Sequence, residues 1–286
     1  MPALLVASSL GADVRARVMP QSAPPAQLLE RVREYSQEVP GGYGTLLKLT
    51  TGPQGSVRLS SWRRQAIRIQ AHIVTRAPSE ADLDVLGSVV GVVIEPSLTS
   101  VEVLTSGPHE SKWLKGVKKF PKALKQMPWH IDYDITVPEY TALDVAVYAG
   151  ELQVDGISGI VSLISASGNI HISNSSGSLV ANAVTGSVEV ATREKSWHGG
   201  SLRVTAGRDV LLTLPHDFSG YFDAAAPGGI VIAGEQHRDL GPSYRGDVGH
   251  GGGGVSLTAG GKVVIVVGSG PPPETTAEPA IPADKP

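Results

Sequence analysis

Glycine recurs every nine residues in the second half of this 286-residue chain, at Gly150, Gly159, Gly168, Gly177 and Gly186. Two and four residues after each glycine stand apolar side chains: Leu152 and Val154, Val161 and Leu163, Ile170 and Ile172, Leu179 and Ala181, Val188 and Val190. That alternation belongs to half-buried strands, whose successive side chains point to opposite faces. About four residues per unit remain to turn the chain, and glycine supplies the positive φ or close backbone approach of a tight corner. One unit cannot bury its apolar side alone, whereas stacked copies can. The pattern returns at Gly200 with Leu202 and Val204, at Gly228 with Ile230 and Ile232, at Gly253 with Val255 and Leu257, and at Gly261 with Val263 and Ile265. Gly207 opens a variant shifted by one residue, with Val210, Leu212 and Leu214.

Constant spacing favours an all-β solenoid over an up-and-down sheet or sandwich, whose hairpin loops vary in length. The inward residues are mostly Leu, Ile and Val, and a slim interior with little room for rings agrees with an aromatic content of 5%.

The chain before the repeat reads differently. Leu28, Leu29, Val32 and Tyr35 fit a helical turn pattern within residues 24–38. Period-two runs follow at Leu46 to Leu49, Val57 to Leu59 and Ile67 to Ile73, with a Gly52-Pro53-Gln54-Gly55 turn between the first two. A short helix is expected over 78–86 with Ser79 as its N-cap and acids in its first turn. Strands are expected at 89–94, 101–104 and 133–137, the last stopping at Pro138. The expected organisation is a leader or linker over 1–42, a β domain over 43–268 and a disordered proline-rich tail over 269–286. Within the domain, 43–140 form a β-rich cap and 141–268 carry the repeats. Residues 3–12 (ALLVASSLGA) resemble the apolar part of an export signal without its basic flank.

Several motifs match a known family: Gly55 to Leu59, Ser61-Trp62, Ile67 to Ala71, Ile131 to Pro138, units such as Ser167 to Ile172 and Thr185 to Val190, and Gly207 to Pro215. Over roughly residues 43–268 the chain resembles the bacterial "putative adhesin" domain family, a domain of unknown function found in envelope proteins. The resemblance implies a right-handed, parallel β-helix-like fold and a cell-envelope or secreted location. It implies no catalytic residues.

Candidate chemistry is sparse. No cysteine is present, which excludes disulfide scaffolds, thiolate metal sites and cysteine nucleophiles. A net charge of −3 gives no global pull toward nucleic acid, and no nucleic-acid partner is expected. No apolar run approaches the roughly 18 residues of a spanning helix. Residues 112–125 (KWLKGVKKFPKALK) hold Lys112, Lys115, Lys118, Lys119, Lys122 and Lys125 with no acid, a pattern suited to an anionic surface or polysaccharide. Trp197 interrupts the nine-residue period, and insertions in repeat proteins often map to a binding face. His198, His216, His237 and His250 have no metal-ligand spacing, and the repeats lack the aspartates of calcium-binding nonapeptides, so no metal or cofactor is expected. Asp144, Glu151, Asp155 and Glu189 nominate no carboxylate pair, and no G-x-S-x-G elbow or P-loop occurs. Serines such as Ser165, Ser167, Ser173, Ser175 and Ser176 suggest a ladder along turns and outer face. The expected function is a non-enzymatic envelope protein that presents an extended surface. The alternatives are a carbohydrate-active β-helix enzyme and an intracellular polymerising scaffold.

Overall fold

The computed structural model describes residues 28–114, 120–192, 200–233, 237–248 and 252–268. In chain order the strands are β1 Leu29–Pro40, β2 Leu46–Thr50, β3 Val57–Trp62, β4 Ala66–Ala77, β5 Gly91–Pro96, β6 Ser100–Ser106, β7 Trp129–Pro138, β8 Ala142–Ala149, β9 Leu152–Asp155, β10 Ser158–Ser167 and β11 Ile170–Ser173. They continue as β12 Ser176–Ala183, β13 Val188–Ala191, β14 Ser201–Ala206, β15 Val210–Leu214, β16 Gly220–Ala225, β17 Ile230–Ala233, β18 Arg238–Asp239, β19 Ser243–Val248, β20 Gly254–Ala259 and β21 Val263–Val267. Helices are confined to α1 Glu80–Gly87, the single turn α2 Ser111–Leu114 and a 3-10 turn, Lys122–Gln126.

The chain is all-β, in two sheets. The first runs β1-β4-β7-β3-β9-β11-β13-β15-β21-β17-β18 and the second β19-β16-β20-β14-β12-β10-β8-β2-β6-β5. From β8 to β17 successive strands fall alternately in the second and the first sheet. Two nine-residue units therefore make one tier, and parallel neighbours stand 18 residues apart: Leu152 opposite Ile170, Ile170 opposite Val188, Val161 opposite Leu179. Inward residues from both sheets form one contiguous core of Leu, Ile and Val, closed near one end by Phe218 and Phe222.

The glycines mark tier corners. A Cβ at Gly150 would lie 2.1 Å from the Gly55 carbonyl oxygen, and one at Gly168 or Gly186 would lie 1.9 Å from that of the glycine one tier earlier. A second column joins Gly159, Gly177 and Gly200 in the same way. Stacked backbones approach so closely there that only hydrogen fits.

Two tiers are inserted rather than appended. β2 and β3 lie between β6 and β8 and between β7 and β9, respectively. β20 and β21 likewise separate β14 from β16 and β15 from β17. Both ends of the stack finish in antiparallel pairs, β1–β4 and β5–β6 at one, β16–β19 and β17–β18 at the other.

Residues 29–40 overturn the helical reading and extend the sheet into the expected leader. β1 pairs with β4 over all twelve residues. Arg31, Arg33, Tyr35 and Val39 fall on its inward side, and Glu30, Glu34 and Glu38 meet Arg76, His72 and Arg68 on the other. The period-two charge pattern wins over the Leu28–Tyr35 spacing because β4 offers both an open edge and matching basic side chains. α1 forms as expected: Ser79 Oγ accepts from Asp82 N at 3.2 Å, and Arg31 holds Glu80 and Asp84. Ser165 and Ser175 depart from the expected outer ladder. Both are buried, Ser165 donating to the Gly168 carbonyl and Ser175 to that of Ser173, because corner carbonyls need donors that the sheets do not supply.

Candidate functional site

The outer face of the first sheet becomes a groove where β1, β4, β7, β3 and β9 lie side by side, enclosing about 450 Å³. Alternation turns one set of side chains outward from each strand, and register sets them in rows. One row places Glu34 opposite His72 and His72 opposite Asp132. The next runs Ser36, Gln70, Asp134, Arg58, Gln153, His171 and Glu189.

Several of these groups already hold one another. His72 Nδ1 lies 2.6 Å from Glu34 Oε1. Ser56 N donates to Asp132 Oδ1 at 2.7 Å, and Arg58 Nε donates to Gln153 Oε1 at 3.2 Å. Glu151 lines the same groove. Four carboxylates thus share it with one guanidinium and one imidazole, beside the amides of Gln70 and Gln153. The arrangement offers donors and acceptors in alternation under an acidic balance. At the end of β3, Trp62 is faced by Arg64 at 5.1 Å and Arg68 at 4.7 Å, and its Nε1 donates to the Ala66 carbonyl at 2.7 Å.

Beneath the groove, Tyr133 points into the core. Its hydroxyl lies 2.7 Å from Thr105 Oγ1, which donates to the Thr50 carbonyl at 3.1 Å. Thr105 has one proton to give, so Tyr133 is the donor between them. Burial pushes the phenol up to about 12.

Of the residues singled out from sequence, Lys115, Lys118, Lys119 and Trp197 lie outside the described residues. Lys112 stands in α2, paired with Glu110 at 3.0 Å and over the Trp113 ring at 4.5 Å. Lys122 and Lys125 belong to the 3-10 turn, where Leu124 is buried. Leu114, Phe120 and Met127 pack on the core, which anchors the lysine-rich stretch as a link from β6 to β7. None of its described lysines enters the groove. His216 and His237 are exposed, and among the described residues no three His, Asp or Glu side chains are grouped to hold a metal ion. Sequence inspection passed over Glu34, Arg58, His72, Asp132 and Asp134. Their signal was the period-two polar spacing of residues 30–38, 56–60, 68–72 and 130–136; their convergence depends on pairings 38 to 76 residues apart.

No protein-family model and no curated protein sequence matches the chain. Among solved structures it is similar to a "putative cell adhesion protein" from Clostridium sporogenes, at 16% identity over 84% of this chain and 100% of that one, with a TM-score of 0.44. A "putative adhesin" from Bacteroides fragilis aligns at 10% identity over 82% of this chain and 97% of that one, with a TM-score of 0.27. A "putative lipid binding protein" from Parabacteroides distasonis aligns at 12% over 81% and 96%, also with a TM-score of 0.27.

Proposed function

We propose that this chain is a non-enzymatic recognition protein of the bacterial cell envelope. Its two sheets wind as a right-handed β-solenoid, the hand that parallel crossovers take almost without exception. The observation that carries the reading is the groove on the first sheet. With the interior filled by aliphatic side chains, a ligand meets the protein from outside, and this groove presents planar polar side chains on rigid strands. Carboxylates, amides, an imidazole and a guanidinium interleaved at strand spacing suit a polyhydroxylated chain, whose hydroxyls both donate and accept. The acidic balance favours a neutral or amino-substituted polysaccharide over an anionic one, so the lysine-rich link and the groove point to different ligands.

The experiment is electrophoresis through native gels containing dextran, chitosan or heparin. Retardation by dextran or chitosan, lost in Asp134→Asn and Arg58→Gln, is the expected result. Retardation by heparin alone, abolished by substituting Lys112, Lys122 and Lys125, would overturn the groove in favour of the lysines. A second reading has one observation behind it. Asp132 and Asp134 share a face of β7, which strand geometry sets about 7 Å apart, within the span of inverting glycoside hydrolases. Release of reducing ends from either polysaccharide would establish that reading instead.

A further inference from the structure

The outer face of the second sheet carries a row of ten registered side chains, one from each strand: Arg245, Asp223, Ser256, Arg203, Val180, Ser162, Asp144, Lys48, Glu102 and Glu95. Apolar groups break the solvent face around its centre. Ile160 is 70% exposed, Tyr148 64%, Val184 55%, Ile164 44% and Val180 39%, all on or beside β8, β10 and β12. Exposed aliphatics gathered on a regular sheet mark an interaction surface. Among the described residues, Lys48, Glu102, Asp144 and Arg203 make no ion pair within their own chain.

We infer that this face docks on the same face of a second copy, about a two-fold axis that runs along β12 through Val180. Such an axis keeps the row at its own height and reverses its order. It sets Lys48 against Asp223, Glu102 against Arg245, Asp144 against Ser256 and Ser162 against Arg203, each twice. Every charge that meets a charge meets the opposite sign.

Four neighbouring registers oppose like charges on the same row. An axis through Ser162 sets Lys48 against Arg203, and one through Arg203 sets that residue against itself. An axis between β10 and β12 opposes Glu102 to Asp223; one between β12 and β14 opposes Lys48 to Arg245 and Asp144 to Asp223. Like charges opposed at an interface disfavour a register. An axis between β8 and β10 opposes none but matches only Glu102 with Arg203, against two kinds of opposite-charge pair about Val180, so the row favours the Val180 position. The axis also places Val180 against its own copy, with Ile160 and Ile164 one strand away. An apolar centre with charges toward the rim is the usual anatomy of a protein interface.

The face is large enough. Nine overlapping strands about 4.8 Å apart and five residues of about 3.3 Å each cover roughly 700 Å² per copy, or about 1,400 Å² in total, within the range of stable complexes. A two-fold contact of a face with itself is closed, so association through this face stops at two copies.

Sedimentation equilibrium of the full chain tests this, with circular dichroism and thermal unfolding as folding controls. The expected result is a dimer that Lys48→Glu weakens at least tenfold and Val180→Asp, at an exposed site, reduces to monomer without loss of fold. Lys48→Glu with Asp223→Lys restores the lost affinity in part. A monomer at every concentration overturns the inference, as does a dimer indifferent to Val180→Asp. A dimer lost in Lys48→Glu but not regained in the double variant overturns the register.

Discussion

A single hydrogen atom decides the spacing between tiers at their corners. Gly168 combines φ of +149° with a would-be Cβ 1.9 Å from the Gly150 carbonyl oxygen, and both obstacles are backbone. Alanine there must twist the corner and push two tiers apart. Gly44 also has positive φ, +77°, but open space around it. Gly44→Ala therefore costs about 1–2 kcal/mol, the left-handed penalty alone. Gly168→Ala is expected to cost more than about 3 kcal/mol, because strain and steric overlap add. Urea unfolding of the two variants checks the difference, and equal losses would show that the corner relaxes freely. This column is the part of the fold most legible in sequence, since constant nine-residue spacing favours stacked units over hairpins of variable loop length. The neighbouring corner is harder to read. Asn174 occupies at φ +51° the place that Gly156 holds at +70° one tier earlier, and its side chain donates to Asp155 at 2.8 Å. Asparagine tolerates that conformation, so the corner persists although its glycine does not.

At the scale of elements, the strands of the repeat were readable and their partners were not. β9 to β13 pair among themselves at 18 residues, a separation the period itself contains. β1 pairs with β4 and β4 with β7, and the Glu34, Gln70 and His72 side of the groove depends on those pairings, while Arg58 and Gln153 join it through β3. Within residues 24–38 the Leu28–Tyr35 spacing and the period-two charges of Glu30, Glu34 and Glu38 compete, and β4 beside them decides for the strand. One cross-sheet link in this region makes a measurable contribution. Tyr133 on β7 donates to Thr105 on β6, joining the two sheets through the core. Its phenol titrates near 12 when folded and near 10 when unfolded. Above pH 10 the unfolded chain has released the proton that the folded chain retains, so stability falls as pH rises. The loss through this group amounts to about 2–3 kcal/mol by pH 12. Tyr133→Phe gives up about 1 kcal/mol at neutral pH with the hydrogen bond. It is expected to lose less than the parent protein between pH 10 and 12, since the other tyrosines titrate in both. Denaturant midpoints measured across that interval test this, and parallel curves would refute it.

The whole molecule differs from a simple stack in where its ends lie. In a repeat array each unit touches only its neighbours, and removal of a terminal unit shortens the array by one step. Here the last tier in sequence is an interior tier in space. β20 pairs with both β14 and β16, and β21 with both β15 and β17. Leu202 and Val255 are opposite one another although 53 residues separate them, and so are Val210 and Val263. Residues 220–248 must therefore cross over and wait for a partner that the chain supplies last. Until it arrives, β16 and β17 have no parallel neighbour, and Phe218 and Phe222 have no sheet to close against. A chain ending at Gly252 is expected to lose the order of everything from β16 onward, not merely the strands removed. Hydrogen exchange should then find amides of β16, β17 and β19 unprotected while those of β9 to β13 remain slow. Long-range closure of this kind also slows folding, because the loop must close before its contacts form. Refolding of the full chain should accordingly show protection in β9 to β13 before β14 and β15 acquire it on their β20 and β21 edges. Simultaneous protection across both sheets would mean that the final tier is in place before the repeat zips, and would assign the nucleus to the inserted strands.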